Sequence, residues 1–399
     1  MTEHESLRAK FLDELAKSGT VSDPELLAAF RDVPRDVFVP YFFIQTPDQP
    51  GWLLVERPSV EWLEGVHSTR ALITQIDGDG DNVSRARTSR VDGTATSSSS
   101  APTLMALMLE ALNTQDRHRV LEIGTGTGYN TALLCQRLGA ANVTSIDIDA
   151  GLVNRARERL ATLGYLPYLA TTDGTQGCPD RAPFDRIIAT VGLSRVPEAW
   201  IEQTAPGAKI LLPLDLIGRA GLLALLTVDG DGKAEGPFLP DIGGFMPIRT
   251  NQHHTLTILS TISDDDGYTS ETVLPVDQAI NTSSPFEFFA ALLVGGYDWL
   301  GFTPSDGGPA ETWLTQPNGS WVCHTTGRSG NRTVRQGGPT RLWDGIEAAH
   351  QTWQQLGHPA RERFGLTVHH GQHILWLDHP NSPHRWHLNA RPSRPSSPA

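Results

Sequence analysis

The stretch Arg119-Val-Leu-Glu-Ile-Gly-Thr-Gly-Thr-Gly-Tyr-Asn-Thr-Ala-Leu-Leu-Cys135 decides the fold. A short apolar run is followed by Gly124, Gly126 and Gly128, and a segment of helical composition begins near Tyr129. Glycine permits positive φ and lets the backbone approach a ligand closely. The free N–H groups at the start of the helix face whatever lies over the turn. The stretch therefore predicts the first strand, turn and helix of a doubly wound α/β domain with a nucleotide-like ligand.

The spacing of the glycines distinguishes two kinds of nucleotide site. A dinucleotide site needs G-x-G-x-x-G after the strand, but here the order is G-x-G-x-G and Tyr129 takes the place of the third dinucleotide glycine. A carboxylate, Glu122, stands two residues before Gly124. The pattern resembles motif I of the class I S-adenosylmethionine methyltransferases, in which the turn packs against the methionine part of the cofactor. A Rossmann-type turn for another nucleotide is the alternative.

Apolar strands and amphipathic helices alternate after this stretch, which predicts a parallel sheet flanked by helices. The predicted strands are 119–123, 142–147, a third ending at 171, 184–190 and 209–214. Two further strands, 222–228 and 243–248, are expected to pair around the turn at 229–233. The fold class is therefore α/β, a Rossmann-like domain.

Polar side chains at the ends of these strands are candidates for cofactor contacts. Asp147 ends the second strand, where a carboxylate can accept both hydroxyls of a ribose, and Ile148 next to it is assigned to the same site. Asp149 is the alternative carboxylate, although its place before the next helix is typical of an N-cap. Asp173 and Gly174 follow the third strand, where a carboxylate can bind the exocyclic amine of an adenine.

The regions on either side of this domain differ from it in composition. Residues 1–99 contain predicted helices over 5–32, then a weakly patterned part in which 77–81 and 85–96 are expected to be exposed loop. The serines Ser97–Ser100 precede a helix that begins with Pro102, so they either cap that helix or contact the substrate. The methyltransferase domain is assigned to 100–250, a smaller α+β accessory or substrate domain to 251–390, and a disordered tail to 391–399.

The C-terminal region holds most of the tryptophans and histidines of the chain. The group His369-His370-x-x-His373 invites interpretation as a metal site. No cysteine lies nearby, and the alternating pattern around Gly371 is typical of a strand hairpin. We therefore interpret these histidines as surface or packing residues and predict no metal.

Composition excludes some classes of partner. The net charge is −13 over 399 residues, and nucleic-acid binding needs a basic surface, so no nucleic acid is expected. No apolar run reaches the roughly 18–20 residues of a membrane span, and the N-terminus has no signal-peptide pattern. Three widely spaced cysteines give no disulfide framework. These features predict a cytoplasmic protein.

Residues 25–250 resemble the protein L-isoaspartyl O-methyltransferase family. The glycine stretch marks the wider methyltransferase superfamily, whereas other segments are more specific to this family. The matching segments are Val33-Pro-Arg-Asp-Val-Phe-Val39, Ser100-Ala-Pro-Thr-Leu-Met105, Asp173-Gly-Thr-Gln-Gly177, Arg181-Ala-Pro-Phe-Asp-Arg-Ile-Ile-Ala-Thr190 and Ile210-Leu-Leu-Pro-Leu214.

Some segments depart from the family pattern. Ser100 is followed by Ala101-Pro102 where the family usually has Gln-Pro, and 64–96 replaces the segment in which the family recognises isoaspartate. The C-terminal module is expected to be absent from the repair enzymes. Its segments Gln336-Gly-Gly-Pro-Thr-Arg-Leu-Trp-Asp344 and Glu362-Arg-Phe-Gly-Leu-Thr-Val368 resemble actinobacterial members that modify ribosomally made peptides.

The resemblance implies a carboxyl O-methyltransferase that uses S-adenosylmethionine. Its peptide or protein substrate is expected to be a cyclised precursor peptide whose aspartyl methyl ester closes to aspartimide. Isoaspartate repair is one alternative, and a peptide-binding protein with little catalysis is another. The implied catalytic residues are Ser100, Thr190 and Val191. The implied cofactor-binding residues are Glu122, Gly124, Thr125, Gly126, Gly128, Tyr129, Asp147, Ile148, Asp173 and Gly174.

Overall fold

The structure is a computed structural model that describes residues 2–47, 49–214, 221–248, 259–260, 262–263, 266–281, 284–303, 308–327 and 329–388. The chain packs as two compact units. The first consists of 1–191, 197–211 and 227–232, and the second of 192–196, 212–226 and 233–399. The domain boundaries expected from composition stay predictions, and the expected tail, 391–399, lies outside the described residues.

The first unit begins with three helices: α1 (Glu3–Lys17), α2 (Pro24–Asp32) and α3 (Arg35–Phe38). A capping box fixes the start of α1, since the Thr2 side chain accepts from Glu5 N and the Glu5 side chain accepts from Thr2 N. At α2, the Asp23 side chain is the N-cap acceptor and Pro24 takes the first helical position. The helices predicted over 5–32 are confirmed.

A small antiparallel sheet follows these helices. Its strands and the two short helices between them are β1 (Tyr41–Thr46), β2 (Gln49–Glu56), α4 (Val60–Val66), β3 (Leu72–Ile76), α5 (Asn82–Ala86) and β4 (Ala95–Ser99). The strand order is β2-β1-β3-β4, and the sheet has an apolar core around Phe43, Ile76 and Val91. The prediction of an exposed loop over 77–81 and 85–96 was therefore wrong for the parts in α5 and β4.

The parallel sheet of the first unit carries the glycine turn. Its elements are α6 (Pro102–Leu112), β5 (Val120–Ile123), α7 (Tyr129–Leu138), β6 (Val143–Asp147), α8 (Ala150–Thr162), β7 (Tyr168–Thr171), β8 (Phe184–Ala189), α9 (Glu198–Glu202) and β9 (Thr204–Leu214). The order is β7-β6-β5-β8-β9, and β5 pairs in parallel with both β6 and β8. All four residues of β5 are buried, as expected for a central strand covered on both faces. The predicted parallel sheet is confirmed.

The chain reverses its direction of winding between β5 and β8. The strands after β5 are laid down on one side, to β7, and those from β8 are laid down on the other side. In open α/β sheets, ligands bind beyond the carboxyl ends of the strands at this switch point. The topology therefore places the candidate site above the ends of β5 and β8.

The described residues of the second unit form antiparallel strands and three α-helices. One group of strands has the order β10 (Gly221–Val228), β11 (Ala234–Gly243), β17 (Phe364–His369), β18 (Gln372–Leu377) and β19 (Arg385–His387). The other sheet has the order β12 (Tyr268–Glu271), β16 (Arg332–Gly337), β15 (Trp321–Thr326), β14 (Ala310–Thr315) and β13 (Asp298–Phe302). The helices are α10 (Val276–Ile280), α11 (Pro285–Val294) and α12 (Leu342–Gln355). The expected strand at 243–248 was wrong, because the neighbour of β10 is β11.

None of the helices among the described residues is long and apolar enough to cross a membrane. Within the same residues, no group of three or more His, Cys, Asp or Glu side chains could hold a metal ion. Cys135, Cys178 and Cys323 are all buried free thiols.

Candidate active site

The predicted site residues all lie in the first unit, at one edge of the parallel sheet. Gly124 follows β5 directly, Asp147 is the last residue of β6, Asp173 comes two residues after β7, and Thr190 follows β8. The carboxyl ends of parallel strands lie at the same edge of a sheet. The structure therefore brings the predicted residues together, while their roles remain to be argued from their contacts.

The three glycines of the turn all have positive φ, at 100° for Gly124, 53° for Gly126 and 88° for Gly128. A Cβ added to Gly124 would lie 2.8 Å from Thr190 Oγ1, and one added to Gly128 would lie 3.0 Å from the Cβ of Ala156. These two glycines are needed because the neighbouring elements leave no room for a side chain. At Gly126 the nearest atoms to an added Cβ are the Ser98 carbonyl oxygen, 3.5 Å away, and Ser97 Oγ, 3.8 Å away.

Asp147 ties the turn to the end of β6. Its Oδ2 accepts from Gly126 N at 2.9 Å, and its Oδ1 accepts from Asp149 N at 3.1 Å. Asp149 caps α8 by accepting from Leu152 N at 3.0 Å, as predicted, and its second oxygen accepts from Gln75 Nε2 at 3.0 Å. Asp149 faces α8 and Gln75, whereas Asp147 lies against the glycine turn, so Asp147 remains the better candidate for the ribose.

Ile148 follows the end of β6, and Asp173 and Gly174 follow the end of β7. Ile148 is an exposed apolar side chain, with 43% of its surface accessible. Asp173 Oδ1 accepts from the backbone N and the hydroxyl of Thr175, both at 2.9 Å. Gly174 is buried, and its carbonyl accepts from Trp200 Nε1 at 2.8 Å. Ile148 is therefore exposed and Asp173 half-buried, whereas Gly174 is buried against Trp200.

Glu122, Thr125 and Tyr129 are buried beneath the turn. The Glu122 carboxylate accepts from Asn130 Nδ2 at 2.8 Å and from Thr131 Oγ1, and the Thr125 hydroxyl lies 2.7 Å from Ser145 Oγ. Burial raises the pKa of the Glu122 carboxyl to about 7. These contacts revise the expectation of cofactor contacts by the Glu122 and Thr125 side chains, which hold the turn from below.

Tyr129 has an equally internal position. Its ring packs 5.9 Å from the ring of Phe38 and 6.5 Å from that of Phe30, and burial raises the pKa of its hydroxyl to about 12. The side chain is only 3% exposed. Its expected cofactor contact is therefore revised to packing of the N-terminal helices against α7.

Thr190 and Val191 border the first glycine. The Thr190 hydroxyl donates to Gly124 O at 2.9 Å, and its backbone N donates to Ile123 O at 2.9 Å. Val191 Cγ1 would lie 3.0 Å from a Cβ on Gly124. Both residues are half-buried, so they form the wall of the turn on the side of β8.

The serine segment borders Gly126, and it neither caps a helix nor acts as a linker. Ser97–Ser99 belong to β4, where Leu72 pairs with Ser99 and Ile73 with Ser98. The N-cap of α6 is Ala101, with no side-chain hydrogen bond. Ser100 is half-buried, one residue beyond the strand. Ser97, which sequence reasoning missed, is the serine whose hydroxyl lies nearest Gly126.

Arg35 is a second residue that the sequence analysis missed. Its buried guanidinium donates to Ser99 Oγ at 3.1 Å, to the Ser99 carbonyl at 3.2 Å and to the Ser100 carbonyl at 3.3 Å. It also donates to the carbonyls of Ser68 and Arg70, both at 2.8 Å. Burial lowers the pKa of Arg35 to about 10, so it stays charged at neutral pH. The planar guanidinium of Arg35 therefore fixes the serine segment and the turn at residues 68–70 to α3. Arg35 lies in the segment Val33–Val39, and the match of that segment to the family was the sequence signal that could have identified it.

Comparison with known proteins identifies the family. The family model described as Protein-L-isoaspartate(D-aspartate) O-methyltransferase (PCMT) matches residues 87–242. A protein-L-isoaspartate O-methyltransferase 1 of Anaeromyxobacter sp. (strain Fw109-5) is 34% identical over 227 residues, which are 56% of this chain and 86% of that protein. The chain belongs to the protein-L-isoaspartate O-methyltransferase family. A relative of the same name from Azorhizobium caulinodans is 41% identical over 37% of this chain and 67% of its own.

A solved structure extends the likeness beyond the glycine domain. A chain titled protein-L-isoaspartate O-methyltransferase has a TM-score of 0.53 and 22% identity, covering 93% of this chain and 99% of its own. At that identity the likeness concerns the fold. It confirms the class I methyltransferase fold, and it corrects the expectation that the C-terminal part has no counterpart in proteins with that title.

Family membership makes this protein a carboxyl methyltransferase that uses S-adenosylmethionine. The residues present fit that cofactor. The glycine turn offers backbone without side chains, and the serine segment bounds the space over Gly126. A carboxylate, Asp147, ends β6, and an exposed apolar side chain, Ile148, stands beside it. The assignment of individual contacts is a proposal that the next experiments test.

The choice between Asp147 and Asp149 can be tested with matched variants. Asp147→Asn should weaken binding of S-adenosylhomocysteine by about 1–3 kcal/mol, because two ribose hydroxyls lose a charged acceptor. Asp149→Asn keeps an N-cap acceptor and should leave the dissociation constant within about threefold. Titration calorimetry measures both. The reverse ranking would assign the ribose to Asp149.

The role of Glu122 predicts an unusual dependence of stability on pH. The folded state holds its proton up to about pH 7, whereas the unfolded chain releases it near its ordinary value of about 4.3. Stability therefore falls as pH rises through this window, by about 1 kcal/mol between pH 6 and pH 8. Glu122→Gln should remove that loss in urea titrations, and Glu158→Gln, on the exposed face of α8, should retain it. An equal loss in both variants would refute the assignment.

The role of Arg35 predicts a kinetic defect in a folded protein. Arg35→Lys keeps the charge, but an ammonium group cannot reproduce the set of hydrogen bonds that the planar guanidinium donates. We therefore expect kcat to fall about tenfold, while the dissociation constant of S-adenosylhomocysteine stays within about twofold. Arg57→Lys is the control, because Arg57 is half-exposed and lies over the Trp62 ring. Circular dichroism establishes that the variants are folded. An unchanged kcat in folded Arg35→Lys would show that the guanidinium of Arg35 does not position the serines.

Proposed function

We propose that this enzyme methylates the side-chain carboxylate of an aspartyl residue in a ribosomally made, cyclised precursor peptide, and that the ester then closes to an aspartimide. The sheet β2-β1-β3-β4 carries this proposal, because its last strand brings serines to Gly126. The segment 64–96, which stands where the family recognises isoaspartate, supplies β3 and α5 and the start of β4. An ordered sheet built into that place supports a dedicated substrate.

The reaction requires only that the protein hold the reacting groups in position and exclude water from the site. S-adenosylmethionine supplies a methyl group on a positively charged sulfur. An aspartyl side chain has an ordinary pKa of about 3.9, so its carboxylate is already ionised at neutral pH and needs no general base. The protein must hold the carboxylate in line with the methyl group and keep water away.

Each wall of the site has a proposed task. Asp147 holds the ribose and Asp173 the adenine amine. The hydroxyls of Ser97 and Ser100 orient the substrate carboxylate, and Thr190, with its hydroxyl tied to the Gly124 carbonyl, closes the other side. The carboxylate oxygen gains the methyl group, and the bonding pair of the methyl–sulfur bond stays on sulfur. The next backbone nitrogen of the peptide then attacks the ester carbonyl, and methanol leaves with the amide proton.

Repair of isoaspartyl residues is the second candidate function. The names of the relatives favour it, including the Anaeromyxobacter protein that aligns with 56% of this chain. The solved chain that covers 93% of this one carries the same name, so the presence of a C-terminal unit does not separate the candidates. Either reaction fits the cytoplasm, where we place the protein. A peptide-binding protein with little catalysis is the third candidate, and the intact glycine turn speaks against it.

Three synthetic peptides of one sequence separate the candidates. One is linear with aspartate, one is linear with isoaspartate, and one is cyclised through its side chains with aspartate. Each is incubated with the full-length enzyme and S-adenosylmethionine, and products are followed by mass spectrometry. We expect the cyclised peptide alone to gain a methyl group and then to lose methanol.

The other outcomes assign the alternatives. Methylation of the isoaspartyl peptide alone would contradict the proposal and establish the repair activity. Equal methylation of the linear and cyclised aspartyl peptides would remove cyclisation as a requirement. If none of the three peptides is methylated while S-adenosylhomocysteine binds, the enzyme's substrate is of another kind.

A further inference from the structure

A five-residue segment beside the site belongs to the second unit, although the chain on both sides of it belongs to the first. The segment is 192–196, and its neighbours in sequence are Val191 and Pro197. Thr190 and Val191, which border Gly124, come directly before it. The peptide bond between Val191 and Gly192 therefore joins this wall of the site directly to the segment.

Backbone hydrogen bonds hold the beginning of the segment. Gly192 N donates to Met246 O at 2.8 Å, and Ile248 N donates to Gly192 O at 2.9 Å. Leu193 N donates to Pro213 O at 3.0 Å. These bonds resemble short strand pairing, and any sequence with the same backbone could form them.

A single side chain holds the end of the segment. Val196 N donates to His373 Nε2 at 3.0 Å, and the His373 ring is 4% exposed. His373 Nδ1 lies 3.3 Å from Gly371 O, which also accepts from the Arg195 guanidinium. With the proton on Nδ1, the imidazole donates to Gly371 O and accepts from Val196 N, and the Arg195 guanidinium lies 3.5 Å from Nδ1.

The imidazole is suited to remain an acceptor. Burial, followed by the charge of Arg195, lowers the pKa of His373 to about 4. It is therefore neutral at the pH of the cell, and Nε2 keeps its lone pair. The rings of His369 and His370, with which it was grouped in the sequence, contact each other with centroids 4.0 Å apart and planes tilted by 40°. The histidine group is thus divided between a contacting pair and one buried anchor.

We propose that His373 is a positioning residue for methyl transfer, which fixes Thr190 and Val191 against Gly124 by holding the end of the segment 192–196. The proposal rests on the carboxyl methyl transfer proposed above. It assigns the second unit a task in catalysis, because the anchor comes from the β17–β18 hairpin. Displacement of a site wall by about 1 Å can cost about 100-fold in rate, so a loose segment should lower turnover.

Matched variants of the full chain test this role. His373→Phe keeps an aromatic ring and removes the acceptor, whereas His373→Gln offers an amide oxygen to Val196 N. His387→Phe is the control, on the exposed part of β19. We expect His373→Phe to lower kcat about tenfold and to speed amide hydrogen exchange at Val196 and Thr190. His373→Gln should restore most of both, and the control should match the wild type.

Each outcome decides part of the proposal. Faster exchange at Val196 with unchanged exchange at Thr190 and unchanged kcat would make His373 a structural residue only. Unchanged exchange at Val196 would contradict the hydrogen bond itself. If the wild type methylates none of the peptides, the proposed function fails, and exchange at Thr190 still decides whether His373 positions this wall.

Discussion

The glycine turn has no room for side chains at Gly124 and Gly128, and the site depends on that constraint. Thr190 fills the space beside Gly124, and Ala156 fills the space beside Gly128. The turn therefore links β5 to β8 on one side and to α8 on the other. Because Gly126 N donates to Asp147, the same turn also reaches the end of β6. A backbone without Cβ atoms sets both the packing of the sheet edge and the surface offered to the cofactor.

Two long-range contacts complete the site from outside this turn. The guanidinium of Arg35 fixes the serine segment by its hydrogen bonds to Ser99 and Ser100, so one wall depends on a residue far away in the sequence. His373 holds the end of the segment that follows the wall formed by Thr190 and Val191. Both contacts use buried side chains whose partners are mainly backbone groups, and such bonds cost much to break. The reaction requires only that the reacting groups be positioned and water excluded, and these contacts contribute to the positioning.

The sequence predicted the parallel sheet because its strands are buried apolar runs separated by glycine and helix signals, as in Val120–Ile123. It also placed Asp147 and Asp173 at strand ends, and it predicted that Asp149 is an N-cap. It missed the small sheet because β4 reads Ala-Thr-Ser-Ser-Ser, a polar run typical of a linker. It missed Ser97 for the same reason, because the alternation of side chains between the two faces of a strand can be used only after the strand has been recognised. The inward turn of Glu122 depends on Asn130 and Thr131, which motif spacing does not show.

A crystal structure of the full chain with S-adenosylhomocysteine tests the central claim most directly. The account predicts the ribose hydroxyls on Asp147, the adenine between Ile148 and Asp173, and the thioether sulfur between Thr190 and the serine segment. A sulfur atom that points away from the serines, or a ribose on Asp149, would contradict the assignment of the two walls. Absence of the ligand from the turn under saturating conditions would contradict the account of the site as a whole.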